Sequence, residues 1–228
     1  MLITLGVLVS STNRFDPQNV MKPKRNIFSF SALVVLLLLP SFQSVVGGDV
    51  LLEDNFAKLD PSWESGENVK VQDGKLIITP ALDKGTHALN DSNVFDEADI
   101  TVNVMLAEGG DPTETGGIVF WAKDDSNFYV LVVSADGDTG IWRLAANRWM
   151  YPVRLAPNDA VKKGFRQSNT LRVVIKGHQA LAYVNDKQVG KITGTPPEGG
   201  GQVGLYGESN GKVQNAWQFS NFKVTAPQ

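Results

Sequence analysis

The strongest constraint on this chain sits in its last third. Three short apolar segments, 170–176, 179–184 and 187–192, are separated only by Gly177-His178 and Asn185-Asp186. Two-residue connections of this kind join neighbouring antiparallel strands, because Gly and Asn tolerate the positive φ that tight hairpin turns require. A glycine-rich run, "GGGQVGLYGE", and a closing "WQFSNFKV" follow. Asp73-Gly74 repeats the hairpin signal between 68–72 and 75–79. The segment 98–107 alternates with period two, with Ile100, Val102, Val104 and Leu106 on one face and Asp99, Thr101 and Asn103 on the other, which marks a half-buried strand. By contrast "FYVLVV" at 128–133 is apolar on both faces, as a strand covered on both sides would be. Further strands are expected at 50–56, 117–122 and 140–144. The stretch 80–92 reads as an irregular loop, 147–154 as turn-prone, and 157–168 as polar with room for one short helix at most. Short strands spaced by Gly, Asp and Asn turns predict an all-β sandwich or barrel.

The N-terminal segment has a different logic. Lys22, Lys24 and Arg25 precede an apolar run at 28–39, then Pro40 and the small residues Ser44, Gly47 and Gly48. That order describes a secretory signal peptide, with Met21 as the expected start and 1–20 as an upstream extension. About a dozen apolar residues fall short of the roughly 20 that span a bilayer, so stable membrane insertion is not expected. Residues 49–228 are then one exported domain, periplasmic or extracellular. Setting aside 1–48 leaves 17 basic and 23 acidic side chains, a net charge of about −6. Nucleic acid is excluded as a partner, since phosphate neutralisation needs clustered Lys and Arg. The chain has no cysteine and must hold without disulfides. A domain near this size buries roughly 70% of its surface, which suffices.

The pieces "DNFAKLDPSWE", "VQDGKLII", "ADITVNVML", "GGIVFWAKDDSNFYVLVV", "NTLRVVIKGHQALAYVNDKQV" and "FSNFKV" occur in an order that resembles the concanavalin A-like lectin/glucanase superfamily. Within it, the chain is similar to laminin-G-like and 3-keto-disaccharide hydrolase domains of secreted bacterial proteins, over roughly 50–225. The resemblance implies a jelly roll of two curved antiparallel sheets whose concave face holds sugars. It assigns Trp63, Asn127, Tyr129 and Asn185 to building the sandwich. Trp121 stands where 3-keto-disaccharide members often carry arginine.

Glucanases of this superfamily use Glu-x-Asp-x-x-Glu on one strand. The nearest match, Glu97-Ala98-Asp99-Ile100-Thr101-Val102, lacks the second glutamate, and retaining hydrolysis needs two carboxyl groups about 5–5.5 Å apart. A nucleophile elbow, Gly-x-Ser-x-Gly, is also missing. Catalytic residues are therefore not assigned. The richest chemistry is aromatic and basic: Trp142-Arg143, Arg148-Trp149, Tyr151 and Arg154, with Trp121 and Tyr129 on neighbouring strands and His87 in the preceding loop. Aromatic rings stack on the C–H faces of sugars while guanidinium groups meet hydroxyls, so these residues are the expected ligand site. For Trp121, next to apolar neighbours, a place in the core is the favoured reading, with the ligand site as its alternative. No organic cofactor is expected. Structural calcium is the one inorganic ligand the acidic turns suggest, with Glu53 and Asp54 as candidate ligands; Asp124, Asp125, Asp136 and Asp138 have the rival explanation that such side chains cap their own turns. Two functions remain: a non-catalytic glycan-binding or surface-interaction module, and a glycoside hydrolase of the 3-keto-disaccharide type.

Overall fold

The computed structural model of the protein describes residues 48–228. The expected leader over 1–48 lies outside the described residues but for Gly48. The described residues form fourteen strands: β1 (Val50–Asp54), β2 (Val69–Gln72), β3 (Lys75–Ile78), β4 (Lys84–Phe95), β5 (Ala98–Leu106), β6 (Thr115–Asp124), β7 (Asn127–Ser134), β8 (Asp138–Ala145), β9 (Arg148–Pro157), β10 (Asn169–Lys176), β11 (Gln179–Val184), β12 (Lys187–Thr193), β13 (Gly201–Ser209) and β14 (Trp217–Thr225). They make two antiparallel sheets. Sheet A runs β12-β11-β10-β5-β14-β3-β2, with β1 also on β14; sheet B runs β4-β13-β6-β7-β8-β9. This is the all-β, concanavalin A-like jelly-roll sandwich expected from the sequence.

Alternation explains the layering. On β5 every second residue, Ile100, Val102, Val104 and Leu106, is buried and faces the sandwich core. Tyr129, Leu131 and Val133 of β7 enter the same core from sheet B, with Trp217, Phe219 and Phe222 of β14 opposite. Each such fully buried side chain contributes about 1.5–3 kcal/mol of transfer free energy. The hairpin dipeptides behave as the turns demand: Asp73 and Gly74 have φ of 52° and 68°, and Asn185 and Asp186 of 47° and 65°. Asn185 also donates to Ala160 O at 2.8 Å and Asn169 Oδ1 at 2.7 Å, which ties down the irregular 157–168 stretch without a helix.

Two expectations need correction. The expected loop 80–92 is mostly strand, because β4 pairs with β13 from Lys84 to Asn90 and again at Phe95 despite a polar sequence. Side chains help it: Glu64 Oε2 accepts from Leu89 N at 2.9 Å, and Asn90 Nδ2 donates to Ser62 Oγ at 2.9 Å. The presumed turn at 147–154 is strand β9. The turn lies just before it, at Ala146 and Asn147, with φ of 48° and 60°. Alanine is not a residue that announces positive φ, so the hairpin was hidden.

Candidate functional site

Sheet B carries a second apolar layer on the face turned away from the core. Phe128, Val130 and Val132 of β7 alternate with the core residues and point outward, joined by Val119 of β6, Trp142 of β8, Leu89 of β4 and Tyr206 of β13. Aromatic rings roof this layer. Trp149 meets Phe128 at 5.8 Å, Trp142 at 5.9 Å and Tyr206 at 5.9 Å between ring centroids, each edge to face, and Tyr151 meets Trp142 at 5.7 Å. Such pairs contribute about 0.5–1.5 kcal/mol beyond burial. Trp149 remains 36% exposed and Tyr151 54%, so the roof offers ring surface to solvent.

Beside Trp149 lies a cleft of about 640 Å³, lined among others by His87, Glu114, Asp125, Phe128, Tyr206 and Glu208. That volume suits a small organic ligand. Its polar wall is firmly held. Glu208 Oε1 accepts from the Tyr206 hydroxyl at 2.7 Å and Oε2 from Thr115 Oγ1 at 2.6 Å. The Glu208 carbonyl accepts from Asn215 Nδ2 and Trp217 Nε1, both at 3.0 Å. Burial first, then the Glu208 charge and the hydrogen bond to it, push the Tyr206 phenol far above the ordinary tyrosine value. Gly85 has to be glycine, since a Cβ there would collide with the Tyr206 hydroxyl. Glu114 stands nearby, and its pKa is raised by burial and by the charges of Glu208, Asp111 and Asp83, in that order.

At the other end of the cleft His87 Nε2 lies 3.3 Å from Asp125 Oδ1 and 3.8 Å from Glu64 Oε2, with its ring 5.3 Å from that of Phe128. One ligand atom from each of Glu64, His87 and Asp125 falls within 4.8 Å of the others. One imidazole nitrogen and two carboxylates suit zinc or manganese better than calcium.

The expected site residues therefore divide. His87, Trp142, Trp149 and Tyr151 gather on the outer face of sheet B. Arg148 sits on the same strand as Trp149, at the exposed start of β9. Trp121, Tyr129 and Arg143 meet elsewhere. Trp121 is 2% exposed and Tyr129 4%, both against the core, and Arg143 lies over the Tyr129 ring with Cζ 5.0 Å from the centroid. Glu53 pairs with Lys223 at 3.9 Å. Asp54 Oδ1 accepts from Phe56 N at 2.6 Å and Oδ2 from Trp63 Nε1 at 2.8 Å. Asp124 is spent on its own turn, bonding Asn127 Nδ2 at 2.7 Å and Ser126 N at 2.9 Å, which lowers its pKa. Asp99 is bidentate with Arg172 at 2.7 and 2.5 Å, on sheet A and outside the cleft. Sequence reasoning missed Glu64, Glu114, Tyr206 and Glu208. Only the strand-terminal place of Glu208 after "VGLYG" hinted at the last of them.

A family model described as a 3-keto-alpha-glucoside-1,2-lyase-like domain matches residues 42–225. The chain belongs to this family. Solved structures of the same fold include the carbohydrate-binding module CBM66 from Bacillus subtilis, 14% identical with a TM-score of 0.59 over 72% of this chain and 96% of that one. Another is the GH43 protein BlXynB of Bacillus licheniformis, in a mutant form, 14% identical with a TM-score of 0.60 over 76% of this chain and 39% of that one. A third is the Bacillus licheniformis beta-glucanase, 11% identical with a TM-score of 0.55 over 79% and 99%. At these identities the likeness is one of fold. No curated protein matches the chain. Family membership gives the domain a glycan-related function.

Proposed function

We propose that the cleft beside Trp149 binds a saccharide of an exported glycan, with the indole as the stacking surface and the fixed carboxylates as hydroxyl acceptors. One observation carries the reading: half-exposed aromatic rings stand on a buried aromatic floor and face a wall whose polar groups are already oriented by hydrogen bonds. Preorganised acceptors lose little freedom when a sugar arrives, which favours affinity. The description of one structural neighbour as a carbohydrate-binding module supports the same reading. A panel of immobilised polysaccharides tests it. The protein should be retained on at least one, and Trp149→Ala should weaken retention at least tenfold; equal retention of the variant, or none by the parent, rejects it.

A second reading adds chemistry to the same cleft, and the pair Glu114 and His87 favours it. The family description implies elimination across C1–C2 of a glucoside oxidised at C3. The ketone acidifies the C2 hydrogen. A base removes that proton, the electron pair forms the C1–C2 double bond, and the C1–O bond breaks with a proton delivered to the departing oxygen. His87, flanked by Asp125 and Glu64, is placed as the base. Glu114, whose raised pKa favours the protonated form, is placed as the acid. Turnover of a 3-keto-glucoside that falls at least a hundredfold in both His87→Ala and Glu114→Gln supports this reading. Saccharide binding without turnover leaves the first reading and removes the second.

A further inference from the structure

A second cleft of about 640 Å³, which shares Phe128 and Leu144 with the one beside Trp149, opens on sheet B where the 194–200 connection meets β7 and β8. Val94, Pro196 and Pro197 give it apolar walls; Lys123, Arg143, Glu198 and Gln202 give it polar ones. Val94 is 58% exposed and so offers its side chain to the cleft. The Arg143 guanidinium lies against Tyr129, and among the described residues no carboxylate pairs with it. Tyr129 is itself fixed, since its hydroxyl accepts from Thr195 N at 3.2 Å and so ties the connection to the cleft.

The backbone around the cleft is built with effort. Trp121 has φ of 49°, in a β6 bulge that falls between Phe120 and Asp124. A bulky residue rarely adopts that region, and strain of this kind clusters at ligand sites. Its indole meets Tyr129 edge to face at 5.2 Å. Gly194 has no room for a Cβ against that indole, nor has Gly201 against the Trp121 Cα at 2.6 Å. The Trp121 Nε1 is buried without a hydrogen-bond partner among the described residues, as is the Trp142 Nε1.

We propose that this cleft is a second ligand site, which takes an acidic sugar by its carboxylate. Arginine presents two parallel N–H groups that match a carboxylate, and a guanidinium preset against an aromatic ring loses less freedom on pairing. Lys123 adds positive charge and Glu198 opposes it, so the lining carries one net positive charge. The prolines and Val94 offer the C–H contacts that a pyranose ring accepts, and Gln202 can receive a hydroxyl. Arg143, Lys123, Glu198 and Gln202 line this cleft and not the one beside Trp149.

The test is a calorimetric titration of the protein with glucuronic acid and trigalacturonate, with maltotriose and sodium acetate as controls. Trigalacturonate should bind, weaken as salt rises, and lose at least tenfold affinity in Arg143→Ala while Arg143→Lys retains part of it. Trp149→Ala should leave this binding unchanged, which separates the two clefts. Arg143→Lys and the parent should melt alike, so lost affinity does not reflect lost folding. Failure of both uronic ligands, undiminished binding by Arg143→Ala, loss in Trp149→Ala, or acetate competing as well as the sugar would each overturn the proposal.

Discussion

Glu208 is the residue on which the polar wall of the cleft depends, and its removal has a calculable consequence. Its two oxygens accept from Tyr206 and Thr115, whose residues are 2% and 1% exposed. Glu208→Ala leaves both hydroxyls buried without that partner. An orphaned buried donor costs about 1–3 kcal/mol, so the variant, with two of them, should lose about 2–6 kcal/mol. For a chain of this size each kcal/mol lowers Tm by roughly 2–4 °C, which gives a fall of about 4–24 °C. Glu208→Gln is the informative control. Its amide oxygen still accepts from Tyr206, and the Thr115 hydroxyl rotates to accept from the amide nitrogen. It also removes one of the charges that repel Glu114. It should lose about 1 kcal/mol or less. Urea unfolding at pH 7 of the parent and both variants measures the difference. Glu208→Ala within 0.5 kcal/mol of the parent, or Glu208→Gln as damaging as Glu208→Ala, would refute the assigned hydrogen bonding.

Three more outcomes follow from the geometry. Gly116→Ala places a Cβ against the Trp217 indole, which Gly207 also crowds, with a Cβ there 2.5 Å from Trp217 Cδ1; it should cost about 1–3 kcal/mol in thermal unfolding, and a neutral result would show that the indole shifts freely. Glu114→Gln should raise Tm at pH 7 and lose that advantage as pH falls below the ordinary glutamate value. The folded pKa is raised, so the parent loses stability as pH rises through the interval between its unfolded and folded values, whereas the glutamine does not; parallel Tm curves from pH 4 to 7 would contradict this. Asp99→Asn should lower Tm by a few degrees through loss of the Arg172 pair yet leave saccharide binding intact, because the pair lies on sheet A; altered binding would relocate the site.

The fold could be read from the sequence wherever local chemistry and final structure agreed. Asp73-Gly74 and Asn185-Asp186 dictate their own turns, and β5 alternates because one of its faces is buried. Reading failed where pairing overrode local preference. β4 is polar, and it is strand because β13 lies alongside it. The Ala146-Asn147 turn takes positive φ with a residue that carries no turn signal. For the site, Trp149 could be picked out as an exposed aromatic and Trp121 as a core ring beside apolar neighbours, but Tyr129 belongs to the core face as well. The acids were hidden for a different reason. Glu64, Glu114 and Glu208 come from segments far apart in the chain and acquire meaning only when β13 brings β4 and β6 to its two sides.

The central claim is that a sugar ring sits in the cleft beside Trp149. A crystal of the protein soaked with the saccharide that it retains most strongly tests this directly. Density for a pyranose packed on the Trp149 indole, with a hydroxyl within hydrogen-bond distance of Glu114, Glu208 or Asp125, is the predicted result. A sugar bound on sheet A, or an empty cleft beside an occupied surface elsewhere, would contradict it.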